Sequence, residues 1–314
     1  REGYAADRVV LTCTCTTRRG WQQKKRRVFI KRQRIAGRCE ALHYRGLTES
    51  GAPVPRLYGV TETDDHREFL VLEHLRHAGD REAPEAFIEL IARFNAVQPV
   101  PAYRKQLATH DFQVELQKAP EVLATIWHRA TRGDLGSDLK ALCTYSPQSL
   151  SRLQDFATSC IGPVTKMEKG LIHTDLRPEN TGRKTSRSRP LVVDLAEVCL
   201  GPRFFDIGRW LGCPPVDRAS RAWQSEMANV YLGYYPKRDA PSRDQFKVEC
   251  RILWATATLS MLWFWLDRAV DGWLPGESDR QAGRRVCRER LHDQLASLLV
   301  AAARLPLNRR RQEA

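Results

Sequence analysis

Residues 171–180 read Leu171-Ile172-His173-Thr174-Asp175-Leu176-Arg177-Pro178-Glu179-Asn180, and the reading of the chain turns on this stretch. Asp175 follows His173 by two positions and precedes Asn180 by five, with Pro178 stiffening the loop between acid and amide. Leu191-Val192-Val193-Asp194 comes next, a short β-branched strand ending in a second acid. An acid, an amide five positions on, and an acid closing the next strand form the set that phosphoryl transfer from a magnesium nucleotide requires. In this reading one carboxylate, Asp175, would orient the acceptor hydroxyl and take its proton, and the amide of Asn180 and the carboxylate of Asp194 would hold Mg²⁺. Arg177, two positions after the base, is a candidate for neutralising charge on the transferred phosphoryl group. An exposed arginine on a basic loop is the other reading of it.

This pattern resembles the catalytic loop and metal-binding turn of the protein-kinase-like superfamily. Further stretches are similar to the aminoglycoside phosphotransferase and choline-kinase-like family within it. Val28-Phe29-Ile30-Lys31 matches the strand whose lysine reaches the nucleotide phosphates. Glu40, opening a helix through Tyr44, is placed to pair with Lys31 and hold its geometry. Pro53 to Val60 and Glu68 to Leu75 resemble the family's next strand and its inter-lobe hinge. There the backbone around Glu73, His74 and Leu75 would bond the adenine. Asp194 to Ile207 is close to the family's metal turn and a later structural aspartate, Asp206, which would brace the catalytic loop. The alternative for Asp206 is a helix N-cap ahead of Ile207, and both roles can hold together. Two features depart from the family: Asn95 stands where histidine is usual, and no glycine-rich nucleotide loop is recognisable. Before the first strand only Gly3 occurs, and the family's opening strand is expected to be absent or truncated.

The resemblance runs from about Val28 to Trp210. It implies an α+β, two-lobed protein-kinase-like fold, with a small antiparallel sheet in the first lobe and a larger, mostly helical second lobe. The lobes are expected at residues 1–75, binding nucleotide, and 76–314, carrying the catalytic loop and acceptor site. The implied activity is transfer of the γ-phosphate of ATP, with Mg²⁺, to a hydroxyl of a small molecule resembling an aminoglycoside, amino alcohol or sugar. The alternative is a catalytically weak pseudokinase acting as a binding or regulatory protein. A protein substrate is disfavoured, because no A-P-E segment or activation loop lies between Asp194 and Asp206.

The rest of the sequence supports this frame. Residues 8–17 alternate Val9, Leu11, Cys13 and Cys15 on one face with β-favouring residues on the other, so a strand is expected, returning through Arg27 to Lys31. Phe87, Leu90, Ile91 and Phe94 recur at helical spacing. Two or three more helices are expected over 113–169, with breaks near Pro120, Gly133 and Pro147. Long helices are expected at 217–235, 241–271 and 278–304, the middle one aromatic and in the core. On it, Asp267 and Asp271 share a face that either recognises a cationic acceptor or is simply solvated. The basic stretch 181–190 is expected to be a mobile, solvated loop, and the triple-arginine tail from Arg309 to be disordered.

Net charge is +14, from 51 Lys and Arg against 37 Asp and Glu. No zinc-finger, RNP or basic-helix pattern accompanies it, so nucleic acid is not the expected partner. Nine scattered cysteines without a C-x-x-C pair exclude a disulfide framework and a zinc site, and fit a reducing cytoplasm. The uncharged run Ile252–Leu266 is too short to span a membrane, which takes about 20 residues.

Overall fold

The computed structural model describes residues 6–16, 23–33, 40–62, 68–78, 83–144, 148–235, 240–274 and 279–304. The turns expected around residues 17–22 and 63–67, Pro147, Gly3 and the Arg309 tail lie outside them. Contacts group the chain into two compact units. One takes Arg1–Ala108, Leu171–Leu200 and Asn229–Arg238, and the other takes Thr109–Gly170, Gly201–Ala228 and Asp239–Ala314. The expected division after Leu75 follows chain order, whereas these units follow contact, so segments from well beyond 75 join the first.

The first unit is built on a four-stranded antiparallel sheet. Strands β1 (Ala6–Thr16) and β2 (Gln23–Gln33) pair along their whole length, as the alternation of Val, Leu and Cys predicts. Helix α1 (Glu40–Glu49) follows, then β3 (Leu57–Glu62) and β4 (Glu68–Glu73). The order is β1-β2-β4-β3, which puts β2 inside the sheet with Lys31 opposite the buried Leu70. The strand expected from Pro53 begins only at Leu57, because Pro53 and Pro55 have no N–H to give a ladder. The two-residue strand β5 (His77–Ala78) belongs to a smaller sheet. Helix α2 (Pro84–Asn95) starts on a proline, whose missing N–H costs nothing at that position. It buries Phe87, Leu90, Ile91 and Phe94, the stripe read from the sequence.

Packing onto α1 is close. Helix α3 (Pro101–Arg104) brings the ring of Tyr103 against Gly46, where an added Cβ would lie 2.2 Å from ring carbon Cγ. Tyr103 is buried and its hydroxyl bonds His43 Nδ1 at 2.8 Å, so the ring has nowhere to retreat. Gly46→Ala is therefore expected to destabilise the fold by about 2 kcal/mol, as overpacking does. A thermal melt should show Tm lower by roughly 4–8 °C. A melt within a degree of the parent would contradict this packing.

The second unit is helical. Helix α4 (Gln113–Arg132) runs straight through Pro120, correcting the expected break. Its apolar stripe of Leu116, Ala119, Leu123, Ile126 and Trp127 is continuous and fully packed, so burial on both sides of the proline outweighs one lost N–H. Gln154 donates to the Pro120 carbonyl. Gly133, with φ +88°, ends the helix as expected. Helices α5 (Ser137–Thr144) and α6 (Gln148–Lys166) follow, and then the strand β6 (Lys169–Ile172). Beyond the 171–180 stretch and the strands β7 (Thr181–Arg183), β8 (Leu191–Val192) and β9 (Cys199–Pro202) come α7 (Phe205–Leu211) and α8 (Arg218–Gly233). Then come α9 (Arg243–Ser260), α10 (Leu262–Asp271) and α11 (Arg280–Arg304).

The expected helix over 241–271 is two helices broken at Met261. Ahead of the break, Thr256 and Thr258 turn their hydroxyls back onto the carbonyls of Ile252 and Trp254, and Ser260 bonds Ala257. The aromatic run is split by the break. Trp254 is in the core, while Trp263 on α10 is half exposed. Arg268 lies over the Phe264 ring at 3.5 Å. Asp267 and Asp271 are both exposed. Asp206 is fully buried in the first turn of α7, whose N-cap is Phe204, so Asp206 is inside the helix and not its cap. No helix is long and apolar enough to cross a membrane among the described residues.

Candidate active site

Lys31, Glu40, Glu73, Leu75, Asp175, Arg177, Asn180 and Asp194 all lie in the first unit, whereas Asp206, Asp267 and Asp271 lie in the second. Lys31 points off the central strand β2 and is 6 % exposed. Its Nζ sits 2.7 Å from Glu40 Oε2 and 2.5 Å from Asp194 Oδ1. A lysine this buried needs anionic partners, and here it has two, one from α1 and one from the turn after β8. Glu40 is itself fully buried at the start of α1, where the helix N-terminus favours a negative charge. Its second oxygen, Oε1, accepts from the Leu195 amide at 2.9 Å. One carboxylate thus fixes both the lysine and the backbone immediately after Asp194.

The stretch 171–180 is held from several sides. Leu171 and Ile172 are buried, and the Leu171 carbonyl accepts from Asn95 Nδ2 at 3.0 Å. Asn95 in turn accepts from the Tyr231 hydroxyl. This explains what asparagine does where the family carries histidine: its amide donates to the strand that leads into the loop. His173 is fully buried, lies edge-on to Phe94, and bonds the Val193 carbonyl through Nε2 at 3.0 Å. A carbonyl partner requires the proton on Nε2, so His173 braces the two turns against each other. Val193 N–H bonds the Asn180 carbonyl at 2.9 Å, a second tie between the same turns.

Asp175 receives the Asn180 amide on Oδ2 at 3.0 Å, and the same Nδ2 bonds the Asp175 carbonyl at 2.8 Å. Arg177 Nε reaches that same Oδ2 at 3.3 Å. Both groups are substantially exposed, so the pair contributes little to stability, but it keeps a cation beside the carboxylate. Two of the three non-glycine residues with positive φ among the described residues are here, Thr174 at 67° and Asp194 at 64°. A left-handed threonine is costly and persists only where its surroundings over-determine it, which marks the turns on either side of the site.

The hinge backbone follows β4. The Glu73 amide bonds the Arg56 carbonyl at 2.8 Å. Neither the amide nor the carbonyl of Leu75 is hydrogen-bonded among the described residues. Burial, then Arg27 and Arg76, push the His74 imidazole below its ordinary range, so the hinge surroundings are electropositive. Burial likewise pushes His43 down to about 4, with His173 adding to it.

Sequence reading missed one contact of this site. Lys184 Nζ lies 2.8 Å from Glu73 Oε2, and Arg76 N–H bonds the Arg183 carbonyl. The stretch expected to be a mobile, solvated loop therefore begins as strand β7, paired with β5 beside the hinge. Its tip is a closed turn in which Thr185 and Ser188 exchange bonds. Glu73 was singled out for its backbone, and its side chain turns out to anchor this loop.

A sequence model of the phosphotransferase enzyme family matches residues 20–246, which include all of these groups. The chain belongs to that family. Solved structures agree on the fold. A Ralstonia eutropha protein provisionally assigned as an aminoglycoside phosphotransferase is 13% identical with a TM-score of 0.55, over 96% of this chain and 94% of that one. A thermostable mutant of aminoglycoside phosphotransferase APH(4)-Ia, in ternary complex with AMP-PNP and hygromycin B, is 12% identical at TM-score 0.51, over 97% and 93%. A choline/ethanolamine kinase family protein from Mesorhizobium loti is 17% identical at TM-score 0.51, over 89% and 88%. No curated protein matches the sequence. The fold is that of the protein-kinase-like superfamily, mixed α+β with small antiparallel sheets, as the catalytic stretch implied.

Proposed function

We propose that this phosphotransferase moves the γ-phosphate of ATP to a hydroxyl of a small molecule, with Asp175 as the base. The observation that carries the proposal is the buried Lys31 held between Glu40 and Asp194, in one unit with the Asp175–Asn180 pair. A structural ion pair needs one acid. A lysine with two carboxylates, one of them braced by a left-handed turn, is an arrangement ready to receive phosphate oxygens. AMP-PNP in the APH(4)-Ia complex supports a nucleotide as the donor here.

In this reading the acceptor hydroxyl gives its proton to Asp175 as its oxygen bonds the γ-phosphorus, and the bond from that phosphorus to the β-bridging oxygen breaks, releasing ADP. Arg177, beside Asp175, supplies positive charge near the transferred group. Lys31 positions the phosphates, and Glu40 positions Lys31. The Leu75 backbone is available to the adenine edge.

Asn180 and Asp194 fit a magnesium ion by the chemistry of their donors. Mg²⁺ takes hard oxygen ligands, one or two from carboxylates with the remainder from phosphates and water. Asn180 spends its Nδ2 on Asp175, which directs its amide oxygen away from that carboxylate. When bound, the ion would neutralise charge on the β- and γ-phosphates.

The test is ADP formation from MgATP across a library of aminoglycosides, amino alcohols and sugars. Acceptor-dependent ADP release is expected from at least one class. Tight AMP-PNP binding with no turnover on any acceptor would favour a pseudokinase. Loss of nucleotide binding altogether would remove the reading.

A further inference from the structure

The second unit contains a cavity of about 400 Å³ that none of this chemistry uses. Its floor is apolar and buried, formed by Leu211, Ala228, Phe246, Cys250 and Ala301. Its walls carry four cations and no acid: Arg221 on α8, Lys247 and Arg251 on α9, and Arg304 at the end of α11. Gln224 and Ser225 are the remaining polar side chains.

Three features separate this cluster from ordinary solvated charge. First, none of the four cations is in an ion pair with an acid among the described residues. The acid before α8, Asp217, spends Oδ1 on Ser220. Second, Lys247 and Arg251 are one turn apart on one face, where like charges repel unless something anionic lies between them and their neighbours. Third, the cations arrive from three helices onto one concavity, and the wall is fixed. Gln224 holds the Cys213 carbonyl at 2.7 Å. Gly212 lies so close to α9 that an added Cβ would be 2.0 Å from the Cys250 carbonyl oxygen.

The geometry points to a binding site for a small polyanion, a molecule carrying two or more phosphate or carboxylate groups. Arginine forks bond either oxyanion bidentately, and an apolar floor accommodates the body of a ligand and not merely an ion. A concavity of this volume holds a small molecule, whereas a nucleic-acid backbone needs an extended track. This assignment rests on the cavity alone and is independent of the phosphotransferase reading.

Calorimetric titration of the full chain with citrate and with pyrophosphate, in metal-free buffer, tests it. Each probe is expected to bind one to one with a Kd below about 1 mM. Arg221→Gln and Arg251→Gln should each weaken binding about tenfold, the loss of one charge-assisted bond. Arg285→Gln, an exposed change on α11 roughly five turns from Arg304, should leave it unchanged. Tighter pyrophosphate would assign a phosphorylated ligand, and tighter citrate a polycarboxylate. AMP-PNP affinity, followed in parallel, should be the same in all variants. Absence of saturable binding overturns the site, as does equal weakening by Arg285→Gln, which would mean diffuse surface charge. Loss of AMP-PNP affinity together with probe binding overturns a separate site as well. Failure of the kinase reading alone would leave probe binding intact.

Discussion

Asp175→Asn is expected to cut acceptor-dependent phosphoryl transfer by about 100-fold or more while leaving AMP-PNP affinity nearly unchanged. A positioned base contributes about 10²–10⁴-fold, and the lower bound corresponds to about 2.7 kcal/mol of barrier. The substitution suits the site because it removes the proton acceptor without removing the shape. An amide oxygen in place of Oδ2 can still take the Asn180 hydrogen bond, and the Asn180 bond to the main-chain carbonyl is untouched. The tie from Val193 to Asn180 and the His173 brace do not involve the Asp175 side chain. Folding and nucleotide binding should therefore survive, and the loss should appear in kcat. Wild-type turnover in this variant would take Asp175 out of the chemistry. An equal loss of AMP-PNP binding would show that the residue supports structure instead.

What the sequence disclosed of this site was what short-range spacing can carry. Asp175, Asn180 and Asp194 fall within twenty positions of one another, and the intervals between them are set by one loop and the β7–β8 hairpin. Lys31 was legible because Val28-Phe29-Ile30-Lys31 matches the family's phosphate-reaching strand, and Glu40 because it opens the helix that follows. The Lys184–Glu73 anchor was not legible, because a basic serine-rich run looks the same whether or not a distant acid meets it. Asn95 could be noticed as a departure but not explained, since its partner, the Leu171 carbonyl, is backbone and carries no sequence signature. Pro120 misled for a related reason. The cost of a proline in a helix is local, whereas the packing that overrides it comes from α6 and its neighbours. The basic cavity was hidden by the overall charge of +14. Four arginines and lysines spread from 221 to 304 are inconspicuous until three helices bring them together.

The second large effect concerns Lys31 and Glu40, and the geometry sharpens what a double-mutant cycle should show. Lys31→Ala is expected to raise the ATP KM and lower turnover, because it removes the phosphate-positioning cation and leaves the buried Glu40 and the partly exposed Asp194 without their shared counter-charge. Unpairing buried charge is costly, typically about 3–5 kcal/mol, so this variant should also melt earlier. Glu40→Ala removes two things at once, the grip on Lys31 and the bond to the Leu195 amide. Glu40→Gln separates them: the amide oxygen can still accept from Leu195, while the charge that holds Lys31 is gone. The expected order of activity is therefore parent, then Glu40→Gln, then Glu40→Ala. Asp194 remains beside Lys31 in both variants, so neither should be as poor as Lys31→Ala. In the Lys31→Ala background, Glu40→Gln should cost little more, since no lysine is left to orient, and it removes an unpaired buried charge. Contacting residues give coupling energies of about 0.5–3 kcal/mol in such a cycle, and this pair should fall in that range. Steady-state kinetics with MgATP as the varied substrate supplies all four corners. If the two single effects simply add, Glu40 acts on something other than Lys31, and the clamp is not the device that places the phosphates.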